Sequence, residues 1–427
     1  MPRRAAVAAA ILLALIGRTS PLQGQAEASP ERVLNDVKYL ASDALEGRWI
    51  GAPGADSAAA YLARRFKEIG LQAPDSGWFQ TFTISLTAPA AHEAGLAGAE
   101  GRNVIGVLPG KDKALQEEVV IVGAHYDHLG TSGWNVLDSD SARRIHNGAD
   151  DNASGTAAVL AIAARLKKQR PACTVVVIAF SGEEEGLLGS AWYVKHPLFP
   201  LSRTRAMINL DMVGRLRNDR LLIMGTETAK ELNGLVDSVN GIAGFDLHKK
   251  GDGYGPSDQS SFYAAGIPVL YFFTDLHEDY HRASDDWEKI NAQGLAKVAE
   301  FAAQLTAAVA NRAKPLTFVN LPAPVTASKH GEPAPTPGTG AAYLGTVPDM
   351  AENPGGVRLS GVRAGSPAEA AGLKPGDIIT SIGGMAIPDL ESMSEALRQH
   401  QPGDTVDIIA LRDGAEVRLR AILGKRS

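Results

Sequence analysis

Apolar and polar positions along the chain switch repeatedly between two periods. Phe79–Leu86 alternates as a half-buried strand does. Asn103–Leu108, Glu118–Val122, Thr174–Phe180, Arg205–Leu210, Leu221–Met224 and Pro268–Phe273 are short apolar runs suited to buried strands. Between them, Pro30–Ala41, Ala55–Ile69, Thr156–Leu166, Glu227–Val239 and Ala292–Ala310 carry helical spacing. Gly70 offers a C-cap, and Asn152 or Ser154 an N-cap for the helix from Thr156. Strands separated by helices predict an α/β domain with a mostly parallel central sheet flanked by helices.

The pattern breaks after Asn311. Residues 314–339 turn Pro-, Thr- and Gly-rich and read as a linker. From 340 to 427 shorter strands with one or two helices return, which predicts a small β-rich domain. A chain of 427 residues has room for such a division.

The first 26 residues read as a secretory signal: Arg3 and Arg4, the apolar run Ala5–Ile16, then Gly24-Gln25-Ala26 as a small-x-small cleavage site. That run is too short to span a bilayer. The α/β domain is then expected at 27–313, in a periplasmic or secreted protein with no membrane span after cleavage. Losing Arg3, Arg4 and Arg18 would move the formal charge from −6 to −9. An acidic chain without a basic stripe argues against a nucleic-acid partner. Cys173 is the one cysteine, so no intrachain disulfide is available.

Potential metal ligands fall at strand ends, where ligands of open α/β sheets bind. His125 and Asp127 follow Glu118–Val122, and Glu183, Glu184 and Glu185 follow Thr174–Phe180. Asp211 follows Arg205–Leu210, and Asp279-Tyr280-His281 comes after Pro268–Phe273. Asp151 lies in the Gly-bracketed loop Asn147–Gly155 before a helix. Histidine and carboxylate ligands without thiolate suit zinc, or harder ions such as manganese or cobalt, in an open catalytic site. Asp127 is placed to hold the His125 imidazole. Any one of these residues would pass as a solvated loop acid or a satisfied histidine; their shared placement would not.

Several motifs occur in one order: Ala124-His125-Tyr126-Asp127-His128-Leu129-Gly130, Gly148–Gly155, Glu183-Glu184-Glu185-Gly186-Leu187-Leu188-Gly189-Ser190, Asn209-Leu210-Asp211-Met212 and Tyr280-His281. Together they resemble the co-catalytic di-zinc exopeptidases of the bacterial leucyl aminopeptidase type, whose relatives include glutamate carboxypeptidase and the glutaminyl cyclases. The resemblance implies two zinc ions, with Asp151 shared, Glu184 and His281 on one, and His125 and Asp211 on the other. It implies Glu183 as the general base on a metal-bridging water, with Asp127 orienting His125. A slip of one in the glutamate triplet would make Glu184 the base and Glu185 the ligand. Tyr280 is placed to donate to the oxyanion or simply to pack. The implied activity is removal of N-terminal residues from peptides, with carboxypeptidase, cyclase or silent binding-protein versions of the scaffold as alternatives. Gly251–Ser261, with Tyr254, Asp258 and Ser260, is a plausible wall of the pocket.

Farther on, Leu344-Gly345-Thr346 and the run Val362–Ile379, with Gly372 and Gly376 at turns, resemble a PDZ domain of the bacterial periplasmic-protease type. That implies a groove beside Thr346 for a peptide or protein C-terminus. Leu390–His400 would be the groove helix with Met393 and Leu397 facing the ligand, and Ile378, Ile379 and Ile382 would form a core.

Overall fold

Ser29 opens the first helix, α1 (Pro30–Leu40): its hydroxyl accepts the Arg32 N–H, and proline fills the first helical position. The structure, a computed structural model, describes residues 29–85, 95–133, 135–138, 144–321, 342–348, 355–362, 365–388, 392–393, 396–397 and 399–425. The expected signal sequence and linker residues 322–339 lie outside them. Helix α2 (Pro53–Ile69) ends on Gly70 at φ +89°, the left-handed cap its sequence predicts.

The chain then alternates. Strands β1 (Phe79–Thr83), β2 (Glu100–Leu108) and β3 (Val119–His125) precede helix α3 (Gly155–Gln169). After β4 (Thr174–Phe180) come α4 (Leu188–Lys195), β5 (Thr204–Leu210) and β6 (Arg220–Met224). Helix α5 (Leu232–Ala243), β7 (Asp246–Lys250), α6 (Gln259–Ala264), β8 (Val269–Phe273) and α7 (Ala292–Ala310) complete this half. The eight strands form one sheet in the order β1-β2-β4-β3-β5-β8-β6-β7.

Parallel pairings run through its middle, β4 with β3, β3 with β5 and β5 with β8, and again between β6 and β7. Antiparallel pairs at β1–β2, β2–β4 and β8–β6 make the sheet mixed rather than uniformly parallel. Strands β3 and β4 are buried along their whole length, which explains their unbroken apolar runs. Helix α3 is apolar on nearly every side because the sheet covers one face and α7 another.

Some expectations need correction. The helix expected from Glu227 begins at Leu232, because Gly225–Lys230 is held as a turn. There Thr226 N donates to Lys250 O, and the Thr228 hydroxyl bonds Gly225 O and Val269 O. Strand β7 was not legible, since Asp-Leu-His-Lys-Lys is a polar edge strand without apolar alternation. The linker also begins later than residue 314. Val319 N donates to Thr228 O, Thr317 pairs with Glu231, and Phe318 and Leu321 pack beside Tyr263.

The C-terminal half has its own sheet and core. Strands β9 (Ala342–Tyr343), β10 (Thr346–Pro348) and β11 (Val357–Val362) precede helix α8 (Pro367–Ala370). Then come β12 (Ile378–Ile382), β13 (Met385–Ala386), β14 (Thr405–Arg412), β15 (Ala415–Ile422) and β16 (Gly424–Lys425). The main path is β10-β11-β12-β14-β15, so β10 is an edge strand. Ile379 and Ile382 are fully buried in the core, whereas Ile378 is not part of it. Met393, expected towards a ligand, is buried in that core with Leu397 packed against it. Leu390 itself and several neighbours of the expected groove helix lie outside the described residues.

Candidate metal centre

His125 is the last residue of β3, and its ring is tied down by its own chain. Nδ1 lies 3.2 Å from the Asp127 carbonyl, which can only accept, so Nδ1 carries the proton and Nε2 presents a lone pair. The Asp127 carboxylate, expected to orient this ring, is 3.9 Å from Nδ1. It accepts instead the Glu184 backbone N–H at 3.4 Å. The chain turns just after the strand, which brings the carbonyl nearer than the side chain. His281 is set the same way: its Nδ1 donates to Asn135 O at 2.9 Å, leaving Nε2 bare.

The two bare nitrogens face opposite oxygens of Asp151, His125 Nε2 at 3.4 Å from Oδ1 and His281 Nε2 at 3.3 Å from Oδ2. Asp211 Oδ1 stands 3.5 Å from His125, and Glu184 Oε2 3.2 Å from His281. The five residues read from the sequence as ligands thus converge on one spot, His125, Glu184 and Asp211 from the ends of β3, β4 and β5, Asp151 from the loop before α3 and His281 from the loop after β8. Glu183 joins them, with Oε2 3.9 Å from His125 Nε2. Glu185 does not: it is buried with both carboxyl oxygens unpartnered, and burial, then Asp127 and Glu184, push its pKa well up. In the glutamate triplet, therefore, Glu184 and not Glu185 stands beside His281.

These groups fit a bound cation. His125 Nε2 and Asp211 Oδ1 are buried without a hydrogen-bond partner, which is costly unless something else binds them. His125, Glu183 and Asp211, and separately His125, Asp151 and Glu184, hold ligand atoms within 4.8 Å of one another. Burial lowers the His281 pKa, yet Glu184 and Asp151 raise it to about 10, so without a cation the ring holds a second proton on Nε2, and a bound cation would displace it to leave that nitrogen bare.

A rigid mount carries Asp151. Asp285 Oδ2 accepts the backbone N–H of both Asp150 and Asp151. Asp150 in turn accepts from Gly214 N at 2.6 Å and faces His277 Nε2 at 3.1 Å. Asn152 Oδ1 caps α3 by accepting the Gly155 N–H; Ser154, the other candidate cap, donates to Asp150 O and accepts from Val213 N. Arg48 was missed as a functional residue because its loop reads only as Gly-rich. It is fully buried and donates to the carbonyls of Leu40, Tyr126, Asn147 and Gly148, so it clamps the His125 and Asp151 loops together.

Beside the cluster lies a cavity of about 210 Å³. Asp151, Glu183 and Asp211 form one side, and Met212, Met224, Tyr271, Phe273, Leu276 and Tyr280 an apolar one. The Tyr280 ring stacks on His281 with centroids 3.9 Å apart. From the wall loop read in the sequence, Pro256 reaches this cavity. Asp258 is buried with neither oxygen bonded, and burial pushes its carboxyl up to about 7. Tyr254 packs edge-on against Tyr263, and Ser260 bonds Gly255.

Comparison with known proteins places this arrangement. Residues 103–306, which span every ligand candidate, match peptidase family M28. A second match, over residues 342–423, is to the PDZ domain. The chain is 31% identical over 228 residues to aminopeptidase YwaD of Bacillus subtilis, covering 51% of this chain and 47% of that one. To a probable leucine aminopeptidase of Arthroderma otae it is 28% identical over 179 residues, covering 40% and 45%. The chain thus spans about half the length of these curated relatives. In fold, it resembles a zinc aminopeptidase from Bacillus subtilis (TM-score 0.54, 19% identity, 66% of this chain and 95% of that one). It also resembles a glutaminyl cyclase from Bacteroides thetaiotaomicron (TM-score 0.53, 20% identity, 65% and 97%). Among the described residues, no helix of the chain is long and apolar enough to cross a membrane.

Proposed function

We propose that the chain is an exported, zinc-dependent aminopeptidase that removes single residues from peptide N-termini. The convergence of His125, His281, Asp151, Glu184 and Asp211 around two bare imidazole nitrogens carries this reading. His125 and Asp211 would hold one ion, Glu184 and His281 a second, and Asp151 both; manganese or cobalt could replace zinc. Ions held there lower the pKa of water and polarise a carbonyl.

The remaining work falls to the chain. Glu183, at the edge of the cluster and of the cavity, accepts the proton of the attacking water and returns it to the departing amine. Tyr280, fixed by its stacking on His281, donates to the developing oxyanion. Met212, Met224, Tyr271 and Phe273 line a space sized for one apolar side chain, which favours Leu, Met or Phe at the substrate's N-terminus. Residues 1–26 support export to the periplasm or medium, and edge strand β10 supports capture of a peptide or protein C-terminus by strand addition.

The test is release of p-nitroaniline from aminoacyl anilides by the purified chain, with chelator and with zinc added back. Chelator-sensitive release, restored by zinc, is the expected result. Cleavage confined to C-terminal residues, or cyclisation of N-terminal glutamine, would move the activity to those alternatives. No chelator-sensitive turnover of any of these substrates would make the chain a silent binding protein.

A further inference from the structure

His128 belongs to none of the ligand groups and has no part in the chemistry above, yet it touches the centre more closely than Asp127 does. Its ring is fully buried, and Nδ1 lies 2.6 Å from Glu184 Oε1. The other oxygen of that carboxylate, Oε2, is the one beside His281. An ionised carboxylate only accepts, so the His128 Nδ1–H donates to it.

We propose that His128 is the positioning residue for Glu184: by holding Oε1 it presents Oε2 to the ion shared with Asp151 and His281. The inference rests on the metal centre proposed above. Its Nε2 is buried without a hydrogen-bond partner, and the ring is wedged in place. It meets the His281 ring edge-on at 5.9 Å, and its backbone N–H donates to Arg48 O at 3.4 Å. On the far side it lies against Gly148 in the loop leading to Asp151, where even a Cβ would come within 2.4 Å of His128 Cγ and Cδ2. A ligating carboxylate held by its second oxygen is the arrangement that keeps metal sites stiff, and losing such a partner weakens metal binding without removing a ligand.

Zinc titration of the chelator-stripped, full-length chain, in competition with a chromophoric chelator, is the test. The native chain should show two sites; failure there removes the metal centre and this inference together, whereas success leaves His128 to be tested separately. In His128→Phe, which keeps the volume and loses the donor, one site should weaken by roughly 10–100-fold and the other stay within about threefold. His128→Asn, whose amide nitrogen can take the place of Nδ1, should keep both within about threefold of native. Native affinity at both sites in His128→Phe overturns the proposal. So does equal loss in both variants, since that would trace the effect to packing. Should neither variant fold, the zinc-loaded native crystal structure decides. His128 bonded to the Glu184 oxygen that is off the metal supports the proposal; His128 on the metal, or beyond about 3.5 Å from Glu184, overturns it.

Discussion

Asp285 Oδ2 accepts the backbone N–H of Asp151 at 3.1 Å, so a residue in one loop fixes where a carboxylate in another loop points. The same oxygen takes the Asp150 N–H at 2.8 Å, and Asp285 Oδ1 faces Arg215 at 3.1 Å. Asp285→Asn should therefore loosen Asp151 and lower zinc affinity roughly 10–100-fold. Zinc titration reads this directly; unchanged affinity would mean that the backbone holds the loop unaided.

Glu183 should separate binding from turnover. Glu183→Gln should keep its zinc content while kcat falls roughly 10²–10⁴-fold, the range for a lost acid–base group. Near-native turnover by the metal-loaded variant would take that role away from Glu183.

Arg48 bears on stability rather than on chemistry. Its guanidinium serves four main-chain carbonyls with no exposure to solvent. Arg48→Met would leave these acceptors buried and unpaired, at a cost of about 3 kcal/mol or more in chemical denaturation. Arg48→Lys should recover only part, because an ammonium lacks the planar fork.

The apolar cavity wall makes a prediction about substrates. Leucyl and methionyl anilides should exceed aspartyl and glutamyl ones by at least about tenfold in kcat/KM, since the latter would bury a charge beside Glu183 and Asp211. A preference for acidic N-termini would mean that the substrate side chain lies elsewhere.

Asp377 gives the PDZ domain an acid limit. Its oxygens meet Arg412 Nε at 2.8 Å and Nη2 at 2.7 Å, and Oδ2 also accepts the Lys374 N–H. Burial pushes this carboxyl up, but Arg412 and Lys374 bring it below the ordinary 3.8. A depressed folded pKa contributes stability that is present above the unfolded value and lost as pH falls through the folded one. The domain should weaken progressively below about pH 4. Asp377→Asn should cost about 1–2 kcal/mol near neutral pH and flatten that acid dependence. Methyl signals of Ile379 and Ile382 during urea titration of the whole chain would report both effects.

Much of this was legible in the sequence for a definite reason. Buried parallel strands leave unbroken apolar runs such as Val119–Val122 and Val175–Phe180, and several of the candidate ligands fall at or just past their ends. Helix α7 could be read to the residue because one face is continuously buried. What escaped was settled by long-range contacts that no local pattern carries. The edge strand Asp246–Lys250 is polar, and the start of α5 is displaced by bonds from Thr226 and Thr228 to distant strands. Arg48 acts across about a hundred residues of chain on Asn147 and Gly148. Orientation was equally hidden: that Asp127 offers its carbonyl rather than its carboxylate to His125 depends on the exact path of the turn.

The segment Leu316–Leu321 has a practical consequence for dissecting the molecule. It zips onto the sheet side through Lys230, Thr228 and Tyr263, and supplies Leu316 to the large core. A catalytic fragment ended at residue 313 would forfeit that clasp and bare Tyr263. One carried through Leu321 keeps it.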